Sequence, residues 1–276
     1  MSPIDQGVVL ITGASSGIGR ALAVEVAGRA RALVLVARRA DRLEALRAEL
    51  AAAHPALRVH VFGCDVTDRA QTDAMLASVE AEAGGVDVLM NNAGSGDLAA
   101  FDLADWSRIE QMIALNITSV AYLTHRVLGP MVARGRGGIL QVSSGFGLTF
   151  APGFAAYAGT KHFVTAFTEG LRLDLSGTGV RVTQVCPGPV DTEFSGNIGN
   201  FTGMDAPALV TISAERCARA AVRGLDRGRA LVVPGLLMKI MIFLGVRTPR
   251  WLLRAFYAPA GRALRRKQLS ARSGAP

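Results

Sequence analysis

Tyr157 and Lys161 stand four residues apart in the run Tyr157-Ala158-Gly159-Thr160-Lys161. On a helix that spacing puts both side chains on one face. A free phenol, with a pKa of about 10, is a poor acid or base at neutral pH. A cation one turn away favours the phenolate and lowers that value, so the pair could pass a proton to or from a substrate oxygen. Ser144 lies thirteen residues before the tyrosine, just after the apolar run Ile139-Leu140-Gln141-Val142, and offers a hydroxyl. Near the start, Thr12-Gly13-Ala14-Ser15-Ser16-Gly17-Ile18-Gly19 follows an apolar run and precedes a helical pattern. Glycines there permit a tight turn and let backbone N–H groups approach a diphosphate at a helix N-terminus. The spacing is GxxxGxG, which differs from the GxGxxG dinucleotide fingerprint.

Three further runs end strand-like segments. Val36-Ala37 is followed by Arg38 and Arg39. NAD sites carry an acid at this point to grip the ribose 2′-OH, and NADP sites carry an arginine for the 2′-phosphate. With Ala37 where the acid would be, the two guanidinium groups point to NADP(H), with NAD(H) as the second choice. The alternative is a pair of solvated arginines opening a helix. Asp65 and Val66 close a third segment. The Asp65 carboxylate could accept from an adenine amino group, or could simply be a turn aspartate. Asn91-Asn92-Ala93-Gly94 closes a fourth.

These groups need a scaffold, and the pattern around them supplies one. Strand-length apolar runs (Val8–Ile11, Ala32–Ala37, Val59–Phe62, Val86–Met90, Ile139–Val142, Val180–Val185 and Ala230–Val233) alternate with helical stretches. The helices are read at Gly17–Gly28, Asp41–Ala53, Asp68–Ala83, Asp105–Met131, Phe154–Leu175 and Ser213–Leu225. Strands that are apolar throughout are covered on both faces. Strict alternation predicts an α/β fold: a Rossmann-type, doubly wound parallel sheet of about seven strands with helices on both faces. All the runs that could do chemistry then fall at the carboxyl edge of the strands, where such sheets bind ligands.

The 276 residues, half of them apolar, suffice for one sizeable core. The start shows no basic and apolar leader, and three cysteines without CxxC spacing read as buried thiols, so a cytoplasmic protein is expected. Four scattered histidines give no metal-ligand spacing, and no metal site is expected. The net charge of +8 is uneven. Residues 227–276 hold eleven Lys and Arg and no acid, which leaves the remainder at −3. A basic tail on a slightly acidic body lacks a recognition motif for nucleic acid.

Taken together, TGxxxGxG at 12–19, NNAG at 91–94, Asn116, Ser144, YxxxK at 157–161 and Pro187-Gly188-Pro189-Val190-Asp191-Thr192 resemble the short-chain dehydrogenase/reductase (SDR) family in order and spacing, over about residues 7–234. The resemblance implies interconversion of a carbonyl and an alcohol by hydride transfer from or to a nicotinamide. Tyr157 would be the general acid/base and Lys161 would hold the nicotinamide ribose. Ser144 would orient the carbonyl, and Asn116 would hold a water relaying protons from Lys161. Gly13, Ser15, Ser16, Gly17, Ile18, Gly19, Arg38, Arg39, Asp65, Val66, Asn92, Ala93 and Gly94 would line the coenzyme. Pro187, Gly188, Val190 and Thr192 would contact its nicotinamide end.

The chain departs from the acyl-carrier-protein reductases of that family after residue 234. There the apolar run Leu236–Val246 leads into Trp251, Leu252, Phe256 and Tyr257 among arginines, and then into Arg262, Arg265, Arg266 and Lys267. A catalytic domain 1–234 with an extension 235–276 is expected. The extension is open to three readings: a lid on an apolar pocket, the interface of a homo-oligomer (dimer or tetramer), or peripheral contact with an anionic membrane. The apolar run is too short to span a bilayer. Pro249 and Pro259 are expected to break any long helix here. The loop 194–212 is open to two readings: a cover over the substrate, with Phe194, Ile198, Phe201, Met204 and Leu209 lining an apolar pocket, or a mobile surface loop with a few buried anchors. A small, apolar carbonyl or alcohol is the expected partner. A non-catalytic dinucleotide sensor, or a membrane-associated scaffold on the same fold, is the rival, and the intact Asn116, Ser144, Tyr157 and Lys161 count against it.

Overall fold

Segments such as Val8-Val9-Leu10-Ile11 have apolar side chains on both sides of the pleat, so both sides must be covered. In the computed structural model, which describes residues 2–198 and 208–273, they are. The strands are β1 (Val8–Thr12), β2 (Ala32–Ala37), β3 (Arg58–Gly63), β4 (Val88–Asn91), β5 (Gly137–Val142), β6 (Val180–Val185), two short segments β7 (Val190–Asp191) and β8 (Ile212–Ser213), and β9 (Leu231–Val232). Seven of them form one sheet in the order β3-β2-β1-β4-β5-β6-β9, every pairing parallel. β7 and β8 pair separately, joining Val190 to Ile212. The order reverses between β2-β1 and β4, and a ligand cleft belongs at that switch point.

The two faces carry separate cores. Val9 and Ile11 point toward α1 (Gly17–Ala27), α2 (Ala40–Ala53) and, further along the sheet, the helix Ala214–Asp226. Val8 and Leu10 point toward α3 (Arg69–Ala83) and the long helices that follow. The stretch expected as one helix over Asp105–Met131 is helical in three pieces. α4 (Trp106–Ile113) runs into a wide turn of π geometry at Ala114–Thr118 and then into α5 (Ser119–Ala133). The wide turn rotates Asn116 inward until it is fully buried, a use to which π turns are often put. α6 (Ala155–Asp174) carries the tyrosine and the lysine, α7 (Phe194–Asn197) is one turn long, and α8 (Ala214–Asp226) closes the first face. All three cysteines are buried and unpaired.

Beyond β9 the chain forms α9 (Leu236–Arg247) and α10 (Arg250–Ser273). The expectation that both prolines interrupt a helix here is half corrected. Pro249 sits at the junction, its carbonyl accepting from Leu252 and Leu253, whereas Pro259 lies inside an unbroken α10. Pro259 deprives the Ala255 carbonyl of its N–H partner, but Ala255 and Pro259 are exposed, so solvent can take that carbonyl. The far half of α10 is tied to the body. Buried Gln268 accepts from the Ala100 N–H at 2.8 Å and donates to the Leu103 carbonyl at 3.2 Å, while Arg265 pairs with Asp102. No helix among the described residues is long and apolar enough to cross a membrane.

Candidate active site

At the carboxyl edge of the sheet a single cleft of about 1380 Å³ runs from Arg38 and Arg39 past the first glycine turn to Tyr157. Pockets for drug-sized ligands hold roughly 300–1,000 Å³, so this one has room for a dinucleotide and a substrate together. It is lined by Gly13, Ser15, Ser16, Gly17, Ile18, Arg38, Arg39, Asp65, Val66, Asn92, Ala93, Gly94, Ser144, Tyr157, Lys161, Pro187, Gly188, Val190 and Thr192. Two of the expected residues stand behind the lining instead. A Cβ on Gly19 would run into the Gly13 carbonyl, so Gly19 lets the turn close. Asn116 sits under Gly94, its Oδ1 accepting from the Ser95 N–H at 3.0 Å and its Nδ2 donating to the Ser95 carbonyl and to Thr160 Oγ1.

The glycine turn is braced from β4. Thr12 Oγ1 accepts from the N–H groups of both Asn92 and Ala93 at 3.0 Å, and Asn92 Nδ2 donates to the Thr12 carbonyl at 2.9 Å. Gly13 holds φ +67°, a conformation L side chains rarely adopt, and a Cβ there would lie 2.9 Å from Ala93 Cα. A turn this tight leaves bare backbone facing the cleft, at the N-terminus of an α1 whose first turn has no acid. That is a cradle for a diphosphate, and the residues present fit a dinucleotide coenzyme. Asp65 does serve as a turn aspartate, its Oδ1 accepting from the Thr67 N–H and hydroxyl, while still lining the cleft.

The two arginines behave differently. Arg38 is exposed at the rim. Arg39 donates to the hydroxyls of Ser15 and Ser16 at 3.2 and 3.0 Å and to Glu193 at 2.9 Å. Arg42 pairs with the same Glu193. The two guanidinium groups hold that carboxyl below its usual range. Neither Arg42 nor Glu193 is singled out by the sequence reading. Glu193 directly follows Thr192, but nothing in its spacing shows that it folds back over the end of β2.

At the other end Tyr157, Lys161 and Ser144 are brought together, 7%, 5% and 9% exposed. Lys161 Nζ donates to the Val142 carbonyl at 3.0 Å and lies 5.9 Å from the centre of the Tyr157 ring. The expectation that this cation lowers the tyrosine pKa is corrected by burial. Desolvation pushes the phenol up to about 12, with Ser144 pulling weakly the other way. Desolvation also pulls Lys161 down to about 8. Phe154, Phe146 and Phe194 surround the phenol, their ring centres 6.1, 6.2 and 5.9 Å from it. Phe194 and Ile198 line the cleft as expected. Leu209 does not: it is 83% exposed, because Ala208–Val210 turns outward and Val210 takes the inward place. Phe201 and Met204 lie outside the described residues. The remaining wall comes from the tail, where Met238, Met241, Ile242, Leu253, Tyr257 and Leu264 line the cleft.

Comparison with known proteins agrees with this geometry. A family model described as short chain dehydrogenase matches residues 7–202. A sulfoacetaldehyde reductase of Chromohalobacter salexigens is 41% identical over 192 residues, 68% of this chain and 74% of that protein. A short-chain dehydrogenase from Sphingobium yanoikuyae, solved in complex with NADPH, superposes with a TM-score of 0.77 at 33% identity, covering 87% of this chain and 93% of that one. The bulky-bulky ketone specific alcohol dehydrogenase of Comamonas testosteroni superposes with a TM-score of 0.72 at 28% identity, covering 93% of each.

Proposed function

The chain belongs to the short-chain dehydrogenase/reductase family, an oxidoreductase interconverting an alcohol and a carbonyl with NAD(P)H, and from that premise we propose that it prefers NADP(H) and acts on an apolar carbonyl with Tyr157 as general acid/base. The observation that carries the reading is a buried phenol, ringed by Phe146, Phe154 and Phe194, at the end of a cleft whose other end is cationic.

NADPH, when bound, supplies the hydride to the carbonyl carbon. The chain does the rest. Gly13 and the N-terminus of α1 hold the diphosphate, and Asp65 and Val66 flank the adenine. Pro187, Gly188, Val190 and Thr192 bracket the nicotinamide. Ser144 donates to the substrate carbonyl oxygen. Tyr157 gives its proton to that oxygen in reduction, and as phenolate takes the alcohol proton in oxidation. Lys161 binds the ribose hydroxyls and favours the phenolate when charged. Asn116, turned inward beneath Gly94, anchors a water route that returns protons to Lys161. The catalytic unit is residues 1–234, and 235–276 close the apolar side of its pocket.

For the 2′-phosphate, Arg39 is the main partner, with Arg38 and Arg42 beside it. Glu193 already occupies guanidinium donors that a phosphate would take, which supports reading them as an anion site. Arg39→Ala should weaken NADPH binding by about 10–100-fold, the worth of a charge-assisted hydrogen bond of about 1.5–3 kcal/mol. NADH binding should hardly move. Fluorescence titration of both coenzymes checks this, and a parallel loss for the two would remove the phosphate role. Glu193→Gln removes the competing carboxylate and should tighten NADPH a few-fold at most in the same titration, because a solvent-exposed ion pair contributes little.

The substrate class is tested by following NADPH absorbance across a panel running from sulfoacetaldehyde and short ketones to aromatic, steroid and long-chain carbonyls. Aromatic and long-chain carbonyls should show the highest kcat/KM. If small anionic carbonyls lead, the apolar assignment fails while the reaction class stands.

A further inference from the structure

α9 is apolar all round: Leu236, Leu237, Met238, Ile240, Met241, Ile242, Phe243, Leu244 and Val246 occupy nine of its twelve positions. Such a helix is normally buried in a core or in lipid. Here Ile242 is its one buried residue. At 100° per residue, Met238, Ile242 and Gly245 share the inner side, against Gly188, Gly145 and Thr149. Leu236, Ile240, Phe243 and Leu244 share the opposite side and are 47–73% exposed. α10 continues the outer surface. Trp251 and Phe256, 69% and 74% exposed, occupy its near half. Its far half turns Arg262 and Arg266 outward, both exposed, on the side opposite the anchored Gln268. Lys239, Arg247, Arg250 and Arg254 are exposed among these apolar groups, and no acid occurs anywhere after residue 226.

We propose that the outer surface of α9 and the near half of α10 dock on an anionic lipid bilayer and set the mouth of the active-site cleft against it. The charge pattern selects this occupant. A second copy docking through the same face would set cations against cations with no carboxylate to answer them. A lipid surface with acidic headgroups matches both the apolar wedge and its basic surround, with tryptophan at the boundary. The contact is interfacial, since no described helix is fit to span. The family model ends at residue 202, short of this surface. Because the inner sides of the same helices line the cleft through Met238, Ile242, Leu253 and Tyr257, the docked enzyme would draw its substrate from the membrane. This second step rests on the apolar-substrate reading above. The docking itself does not.

The test is co-sedimentation of the full chain with vesicles of phosphatidylcholine alone or mixed with phosphatidylglycerol. Binding is expected only to the mixed vesicles and should be reversed by high salt. Phe243→Asp with Trp251→Asp should abolish it. Arg250→Gln with Arg254→Gln should weaken it about 25-fold, at about 1 kcal/mol per basic residue near the surface. None of these side chains lines the cleft, so NADPH binding and turnover of a water-soluble ketone should be unchanged. Turnover of a long-chain ketone dissolved in the vesicles should fall with the Asp pair. Absence of sedimentation with anionic vesicles overturns the proposal, as does sedimentation that survives both pairs of substitutions. A concentration-dependent dimer that the Asp pair dissolves, without vesicle binding, also overturns it in favour of a second copy. If no carbonyl is turned over but vesicle binding behaves as stated, the docking stands and the substrate reading alone is lost.

Discussion

Tyr157→Phe should lower kcat by about 10²–10⁴-fold, the usual worth of a positioned proton donor, and leave NADPH affinity where it was. The substitution removes one oxygen and keeps the ring, so the contacts with Phe146, Phe154 and Phe194 survive. Ser144 bonds that oxygen, but its hydroxyl still accepts from the Phe146 N–H at 3.1 Å, so deleting the phenol oxygen leaves no buried group without a partner and the fold should be unaffected. With the phenol gone, the developing alkoxide would have Ser144 to accept from but no proton to take. A loss confined to the transition state lowers kcat and kcat/KM together. Parallel NADPH titration and steady-state rates on the best carbonyl check both halves. A kcat within tenfold of the parent would remove Tyr157 from the role.

The strands and the grouping of the site were legible because each rests on local pattern. Val8–Ile11 and Ala32–Ala37 can only be strands covered on both faces, and the helical spacing of Tyr157 and Lys161 holds on α6. What escaped depends on contacts remote in sequence or on solvent. The wide turn that buries Asn116 is one residue of extra winding, invisible to a pattern with period 3.6. Glu193 reaches Arg39 across 154 positions. Pro259 stays helical because the carbonyl it leaves unpaired faces water. Leu209 turns outward although it is apolar. The direction of the tyrosine shift was misread for a related reason: spacing reveals the neighbouring cation, but not that both groups lose their water.

That loss of water yields the second large effect. Burial sets Lys161 to about 8 and Tyr157 to about 12. A base whose pKa is lowered is charged below that value and neutral above it. Reduction needs the phenol protonated and, on the role assigned to Lys161, the ammonium charged. Its kcat/KM for the carbonyl should therefore be flat up to about pH 8 and then fall about tenfold per unit, a fall that the phenol, still protonated, cannot cause. Oxidation needs the phenolate with the ammonium still charged. The phenolate fraction rises tenfold per unit, and above about pH 8 the loss of ammonium cancels that rise. Oxidation should climb to about pH 8 and level off. One group thus bends both profiles downward by one unit of slope at the same pH, which two independent groups would do only by coincidence. Lys161→Met should erase both bends and lower the plateau by about 10²–10³-fold, the loss of charge-assisted hydrogen bonds to two ribose hydroxyls at about 1.5–3 kcal/mol each, discounted for water entering the site. Reduction that stays flat through pH 9, or bends that survive Lys161→Met, would assign the titration elsewhere and leave the lysine a purely structural place beneath Val142.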